Sequence, residues 1–71
     1  MNFRLKELSK DGEWSSGFFS ATDVREVRMH VRAGFINGCE RWAEDENGET
    51  IFRLDAKGKE VPSPCQQEMM R

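Results

Sequence analysis

The chain has 71 residues, and a chain of this size buries only about 60% of the surface it exposes when unfolded, so one small domain is the ceiling and a large enzyme core with a separate substrate domain is excluded. Hydrophobic residues at 37% and charged residues at 34%, with five Phe and two Trp, supply enough apolar bulk to fold and argue against disorder of the whole chain. Thirteen acids against eleven bases leave a formal charge of -2, too balanced to mark the chain as a nucleic-acid binder or an acidic mimic of one.

Met1 to Glu7 alternates charged with uncharged residues and lacks the apolar run of about 7–15 residues that a signal peptide needs. No stretch approaches the roughly 20 apolar residues of a membrane span. A soluble cytoplasmic protein with no membrane partner is expected. In that reducing compartment Cys39 and Cys65 are expected as thiols, although one bridge between them is open in principle.

In chain order, Phe3 to Leu8 begins with the period-2 alternation of a half-buried strand and leads into Asp11-Gly12, a hairpin turn signal because glycine accepts the positive φ of the tight turn. A turn centred there pairs Leu5 with Phe18, Phe3 with Ser20 and Arg4 with Phe19. Phe3, Leu5 and Phe18 then share one face, and Arg4, Lys6, Leu8 and Phe19 the other. Ser20-Ala21-Thr22-Asp23 reads as a capping box that starts a helix. Val24, Val27 and Val31 gather on one stripe of that helix, and Gly34 marks its stop.

Asn47-Gly48 is a strong two-residue turn signal and centres a second hairpin. Its register pairs Ala43 with Phe52, Arg41 with Leu54, Trp42 with Arg53 and Glu44 with Ile51. Ala43, Phe52 and Leu54 take one face; Trp42, Ile51 and Arg53 take the other. A turn at Lys57-Gly58 leads into a short edge strand, Lys59-Glu60-Val61, which Pro62-Ser63-Pro64 ends because proline cannot donate to a ladder. The expected fold is therefore α+β: a four- to five-stranded antiparallel sheet made of two β-hairpins, with one α-helix packed on one face. A single domain spans 1–64, and 65–71 form a flexible tail. Phe3-Arg4-Leu5 and Phe52-Arg53-Leu54 repeat one tripeptide, through duplication or because two strands meet the same packing demand.

Two surfaces are candidates for a partner. On the helix, Arg25, Arg28 and Arg32 form a stripe beside the valines, with Met29 on the side away from them; guanidinium groups suit phosphate or carboxylate contacts, and an exposed Met suits a partner surface. The bland alternative is a solvated face tied down by salt bridges within the domain. The open sheet face collects Phe19, Trp42, Arg4 and Arg53, a mixture used to stack single-stranded nucleic acid and equally to anchor protein interfaces or a homodimer. Its bland alternative is cross-strand cation–π pairing of Trp42 with Arg53 and Arg4 with Phe19. Glu40, Glu44, Glu49 and Asp55 on that face repel phosphate and tilt the reading toward a protein partner.

No metal or catalytic constellation is apparent. His30, Cys39 and Cys65 are the soft ligands, too few for a structural zinc. The acidic run 44–49 fails the calcium-loop pattern because, counted from Asp45, glycine stands at the fourth place instead of the sixth and Ala56 at the twelfth. A Cys39 nucleophile with His30 as its base would need the two to meet across the helix end. No enzyme activity and no cofactor are expected.

The run Phe35-Ile36-Asn37-Gly38, Arg41-Trp42-Ala43-Glu44, Asn47-Gly48, Ile51-Phe52-Arg53-Leu54 and Lys57-Gly58-Lys59, after a short hairpin and one helix, resembles in layout the small phage-encoded anti-CRISPR proteins that inhibit type I surveillance complexes. The resemblance spans most of residues 2 to 61. It implies a non-enzymatic inhibitor acting in the host cytoplasm by docking on a nucleic-acid-binding surface, through residues such as Arg25, Arg28, Arg32 or Trp42. Residues 3 to 31 are also similar to short ββα-repeat proteins of bacteria. The expected function is thus that of a small inhibitor covering a functional surface of a host protein or ribonucleoprotein complex, with a single-stranded nucleic-acid module as the alternative.

Overall fold

A computed structural model describes residues 1–61. The Pro62-Ser63-Pro64 stop, the boundary at 64, the tail and Cys65 all lie outside the described residues. Strands β1 (Asn2–Ser9) and β2 (Gly12–Ser20) are followed by helix α1 (Val24–Ala33), then β3 (Glu40–Glu44) and β4 (Thr50–Leu54). The strands form one antiparallel sheet in the order β2-β1-β3-β4, and α1 lies on one face against β3 and β4. This is the expected α+β architecture. The fifth strand expected at 59–61 is reduced to a Leu54–Glu60 bridge and a bond from the Val61 N–H to the Arg53 carbonyl at 2.9 Å.

The second hairpin keeps the expected pairs Arg41–Leu54, Trp42–Arg53 and Ala43–Phe52, but Glu44 faces Thr50 instead of Ile51. The irregularity turns Ile51 away from its expected open-face place, and it packs at the margin of the core. The first hairpin departs further. Its turn is Lys10-Asp11, with Ser9 opposite Gly12, and an extra residue enters β2 opposite Leu5, so that Lys6 faces Ser15 while Arg4 faces Phe18. At this bulge the Leu5 N–H donates to the Ser16 hydroxyl at 2.8 Å instead of to a carbonyl. Cross-strand neighbours share a face, so Phe19 stands with Phe3 on the helix side and Phe18 stands with Arg4 on the open side. Both aromatics are therefore exchanged relative to the sequence register.

Helix α1 starts later than the Ser20 cap implies. Asp23 is the N-cap and accepts from the Glu26 N–H at 3.0 Å, while Glu26 accepts from both the N–H and the hydroxyl of Thr22. Those Thr22 bonds hold the Glu26 carboxyl below its ordinary pKa, and its charge suits the positive end of the helix. Ser20 instead donates to Asn2 Oδ1 at 3.1 Å. Val27 and Val31 are fully buried, but Val24, at the first turn, is exposed.

Gly34 ends the helix as expected, though not through a left-handed backbone, for its φ is -102°. Its space is taken by Arg41, whose Cζ would sit 2.6 Å from an added Cβ. The buried Arg41 donates from Nε to the Val31 carbonyl at 2.8 Å and from Nη2 to the His30 carbonyl at 3.4 Å. Arg41 Nη1 also lies 3.4 Å from Glu7 Oε1. A cation from β3 thereby caps the negative end of the helix. The core around it comprises Phe3, Leu5, Ala21, Val27, Val31, Ala43 and Leu54, with Phe35, Ile51 and Phe52 at its margin.

One turn is used twice. Asp45 and Asp55 each accept, through Oδ1, the N–H groups two and four residues on, at 2.8 and 3.0 Å and at 2.9 and 3.0 Å. Gly48 and Gly58 supply the positive φ of +83° and +87° in the two copies. The Lys59 and Lys57 N–H bonds hold the Asp55 carboxyl below its ordinary pKa. Glu60 is likewise lowered, by Arg32 and then Arg28. A carboxylate depressed by folding contributes stability that is present above its unfolded pKa and lost as pH falls through the folded one. Thermal stability is therefore expected to hold from neutrality to about pH 5 and to decline below about pH 4. Asp55→Asn keeps the Oδ1 acceptor but cannot titrate, so a melting series in acid should show a shallower decline; an unchanged slope would refute the contribution of Asp55.

Candidate functional site

The two surfaces expected from sequence lie on opposite sides of the sheet and do not merge. On the helix, Arg28 and Arg32 both donate to Glu60 Oε1, Arg32 at 2.7 Å. Their guanidinium carbons also stand 5.3 and 5.7 Å from the centroid of the Phe52 ring. Both side chains remain about half exposed, so Glu60 ties them to the β4 edge without removing them from solvent. Arg25 has no ion-pair partner among the described residues. Met29 is 66% exposed, the highest value among the exposed large apolar side chains of the described residues.

The open face is largely satisfied from within. Trp42 is only 6% exposed despite facing away from the helix: Arg53 lies over its ring at 4.5 Å, its indole N–H donates to Glu44 at 2.9 Å, and Lys6 stands opposite it on β1. Arg53 also reaches Glu40 at 3.4 Å and Lys6 reaches Glu13 at 2.9 Å. Glu40 and Glu13 thus neutralise Arg53 and Lys6, while Arg4 has no ion-pair partner among the described residues. The long basic stem of Arg53, laid over an aromatic body, shields it from water. Arg4 makes the other cation–π contact at 4.2 Å, with Phe18 and not with Phe19.

Phe19 packs instead on the helix side, 5.7 Å from Phe3 and stacked at 6.3 Å on His30, which also lies 5.5 Å from Phe3. His30, itself exposed, therefore borders the core. Cys39 is a half-buried thiol. Among the described residues no three His, Cys, Asp or Glu side chains are arranged to hold a metal ion. No helix of the described residues is long and apolar enough to cross a membrane.

The sequence reading missed the strongest aromatic concentration. Trp14, Phe18 and Phe19, all on β2, are 51%, 48% and 46% exposed, and β2 is an edge of the sheet. The signal for it was Ser15-Ser16-Gly17: glycine inside a strand pattern marks a bulge, and a bulge changes the face of every residue after it. Together these features define, over the described residues, an α+β fold with one helix and one open antiparallel sheet. Comparison of the chain with protein-family models, curated proteins and solved structures finds no match.

Proposed function

We propose that the chain is a small non-enzymatic interaction protein that covers a functional surface of a host protein or ribonucleoprotein complex, in the manner of a phage or mobile-element inhibitor. The observation that carries this reading is the outer helix surface, where the exposed Met29 stands one turn from Arg25 with its guanidinium uncommitted among the described residues. A flexible thioether beside a free cation suits a mixed apolar and acidic or phosphate-bearing surface. Arg28 and Arg32 extend the same flank, held in place by Glu60. The resemblance in layout to type I anti-CRISPR proteins makes a surveillance complex the first partner to test.

Capture from host lysate on the immobilised chain should recover one defined complex, and a purified type I complex should lose target-DNA binding when the chain is added. Arg25→Glu with Met29→Ala is expected to weaken capture at least tenfold while leaving the melting temperature within a few degrees. Failure of the intact chain to capture anything would defeat this reading. A single-stranded nucleic-acid platform has thinner support, because the ring of Trp42 is covered and Arg53 is engaged. It would require an oligonucleotide to quench tryptophan fluorescence in a strongly salt-dependent way.

A further inference from the structure

The two edges of the sheet are unlike. The β4 edge is closed by the chain itself, through the Leu54–Glu60 bridge and the Val61 to Arg53 bond. Among the described residues, the β2 edge meets no strand but β1. Edge strands in soluble proteins are commonly protected by lysine, proline or inward charges; β2 has no lysine and no proline, and its one charge, Glu13, is held by Lys6 at 2.9 Å.

The geometry points to β2 as a self-association edge, pairing antiparallel with β2 of a second copy about a two-fold axis between Ser16 and Gly17. Two independent features of the strand fit that axis. In side chains, Trp14 and Phe19 share the helix side while Ser15 and Phe18 share the open side. The two-fold sets Trp14 against the Phe19 of the second copy and Ser15 against its Phe18, so every pair matches in face. Glu13 meets Ser20, so no like charges oppose, and Ser16 and Gly17 leave room at the centre.

In the backbone, Met1 and Ala21 exchange both bonds, at 2.8 and 2.6 Å. Because bonded and non-bonded pairs alternate along an antiparallel ladder, Ser20 and Phe18 direct their N–H and C=O groups away from β1. Counting from the two-residue turn, where Ser9 and Gly12 form the closing pair, Glu13 and Ser15 do the same. The two-fold pairs Glu13 with Ser20 and Ser15 with Phe18, so each outward-facing residue meets another. The bulge that displaces Phe18 from the core is what makes the strand complementary to itself.

Three half-exposed aromatics offer on the order of 300 Å² per copy, well short of the roughly 800 Å² per partner of a standard interface. Backbone pairing must supply the rest, and the dimer is expected to dissociate on dilution. Sedimentation of the wild-type chain up to about 1 mM should show the mass rise from that of the 8.2 kDa chain toward twice it. Trp14→Lys and, separately, Ser15→Pro should each raise the dimer dissociation constant at least tenfold. The proline removes one outward N–H at an edge, where proline is tolerated. Met29→Lys, on the helix, should leave it unchanged. In the wild type, hydrogen exchange at Glu13, Ser15, Phe18 and Ser20 should slow as concentration rises, which decides the matter if either variant fails to fold. A chain that stays monomeric at about 1 mM overturns the proposal, even if an extended foreign peptide occupies the edge. So does a dimer indifferent to both β2 variants. None of these outcomes bears on capture of a host complex through the helix.

Discussion

Replacing Phe3 with alanine is expected to bring the chain to the edge of unfolding. Phe3 is fully buried on the inner strand β1, where it meets Phe19 at 5.7 Å and His30 at 5.5 Å between ring centroids. It joins the first hairpin to the helix, so the cavity left by its loss could not collapse without moving one of them. Buried Phe→Ala changes cost about 3–5 kcal/mol, and a chain of this length has about 4–10 kcal/mol in total. At about 4–8 °C per kcal/mol for a domain of this size, the melting temperature should fall by about 15 °C or more. Circular dichroism melts would check it, and a drop of only a few degrees would contradict the packing described. The same melts separate the two registers of the first hairpin: Phe19→Ala should cost more than Phe18→Ala, because Phe19 is backed by the core and Phe18 only by Arg4.

What the sequence made legible was whatever local chemistry decides. Asn47-Gly48 and the alternating strands on either side set the second hairpin nearly to the residue, and Gly34 marked the helix end. The repeated Phe-Arg-Leu takes a similar placement in both strands. Phe3, Leu54 and Leu5 are buried and Phe52 packs beside them, while Arg4 and Arg53 turn to the open face and lie over Phe18 and Trp42. The first hairpin was harder because Ser9-Lys10-Asp11-Gly12 can close in more than one place: moving the turn back by one residue shifts the pairing by two and keeps each face. The bulge alone, worth one residue, reverses the faces of Phe18 and Phe19. Trp42 was misjudged for another reason: alternation assigned it the correct face, but whether a face is wet depends on which long side chains cross it. Arg28 and Arg32 lie on one flank of the helix, yet their shared partner Glu60 is 32 residues from Arg28, beyond the reach of any local pattern. The recurring Asp-x-x-Gly turn, by contrast, was present in the sequence as Asp45 to Gly48 and Asp55 to Gly58, and its period of one strand plus one turn explains why β4 ends where it does.

Arg41 and Gly34 form the second site at which one atom-scale change should have a large effect. The guanidinium reaches the Val31 and His30 carbonyls and Glu7 from one buried position. Arg41→Ala should leave two carbonyls of the last helical turn without that donor and Glu7 without its cation. Breaking a buried pair costs about 3–5 kcal/mol, and the partial exposure of Glu7 places the expected loss at the lower end. Lysine should not rescue it, since a single ammonium cannot present the planar fork that serves three acceptors. Gly34→Ala attacks the same arrangement from the other side. With φ at -102° the backbone is outside the left-handed region and accepts an alanine, so its cost comes chiefly from driving the guanidinium off its acceptors. Such overpacking costs about 1–3 kcal/mol. Once Arg41 is already alanine, the clash is gone and Gly34→Ala should be near neutral. The double-mutant cycle is therefore expected to be strongly non-additive, with a coupling close to the full cost of Gly34→Ala alone. Urea denaturation of the four chains would measure it; additive losses would mean that glycine is required at this helix end for some reason other than the arginine beneath it.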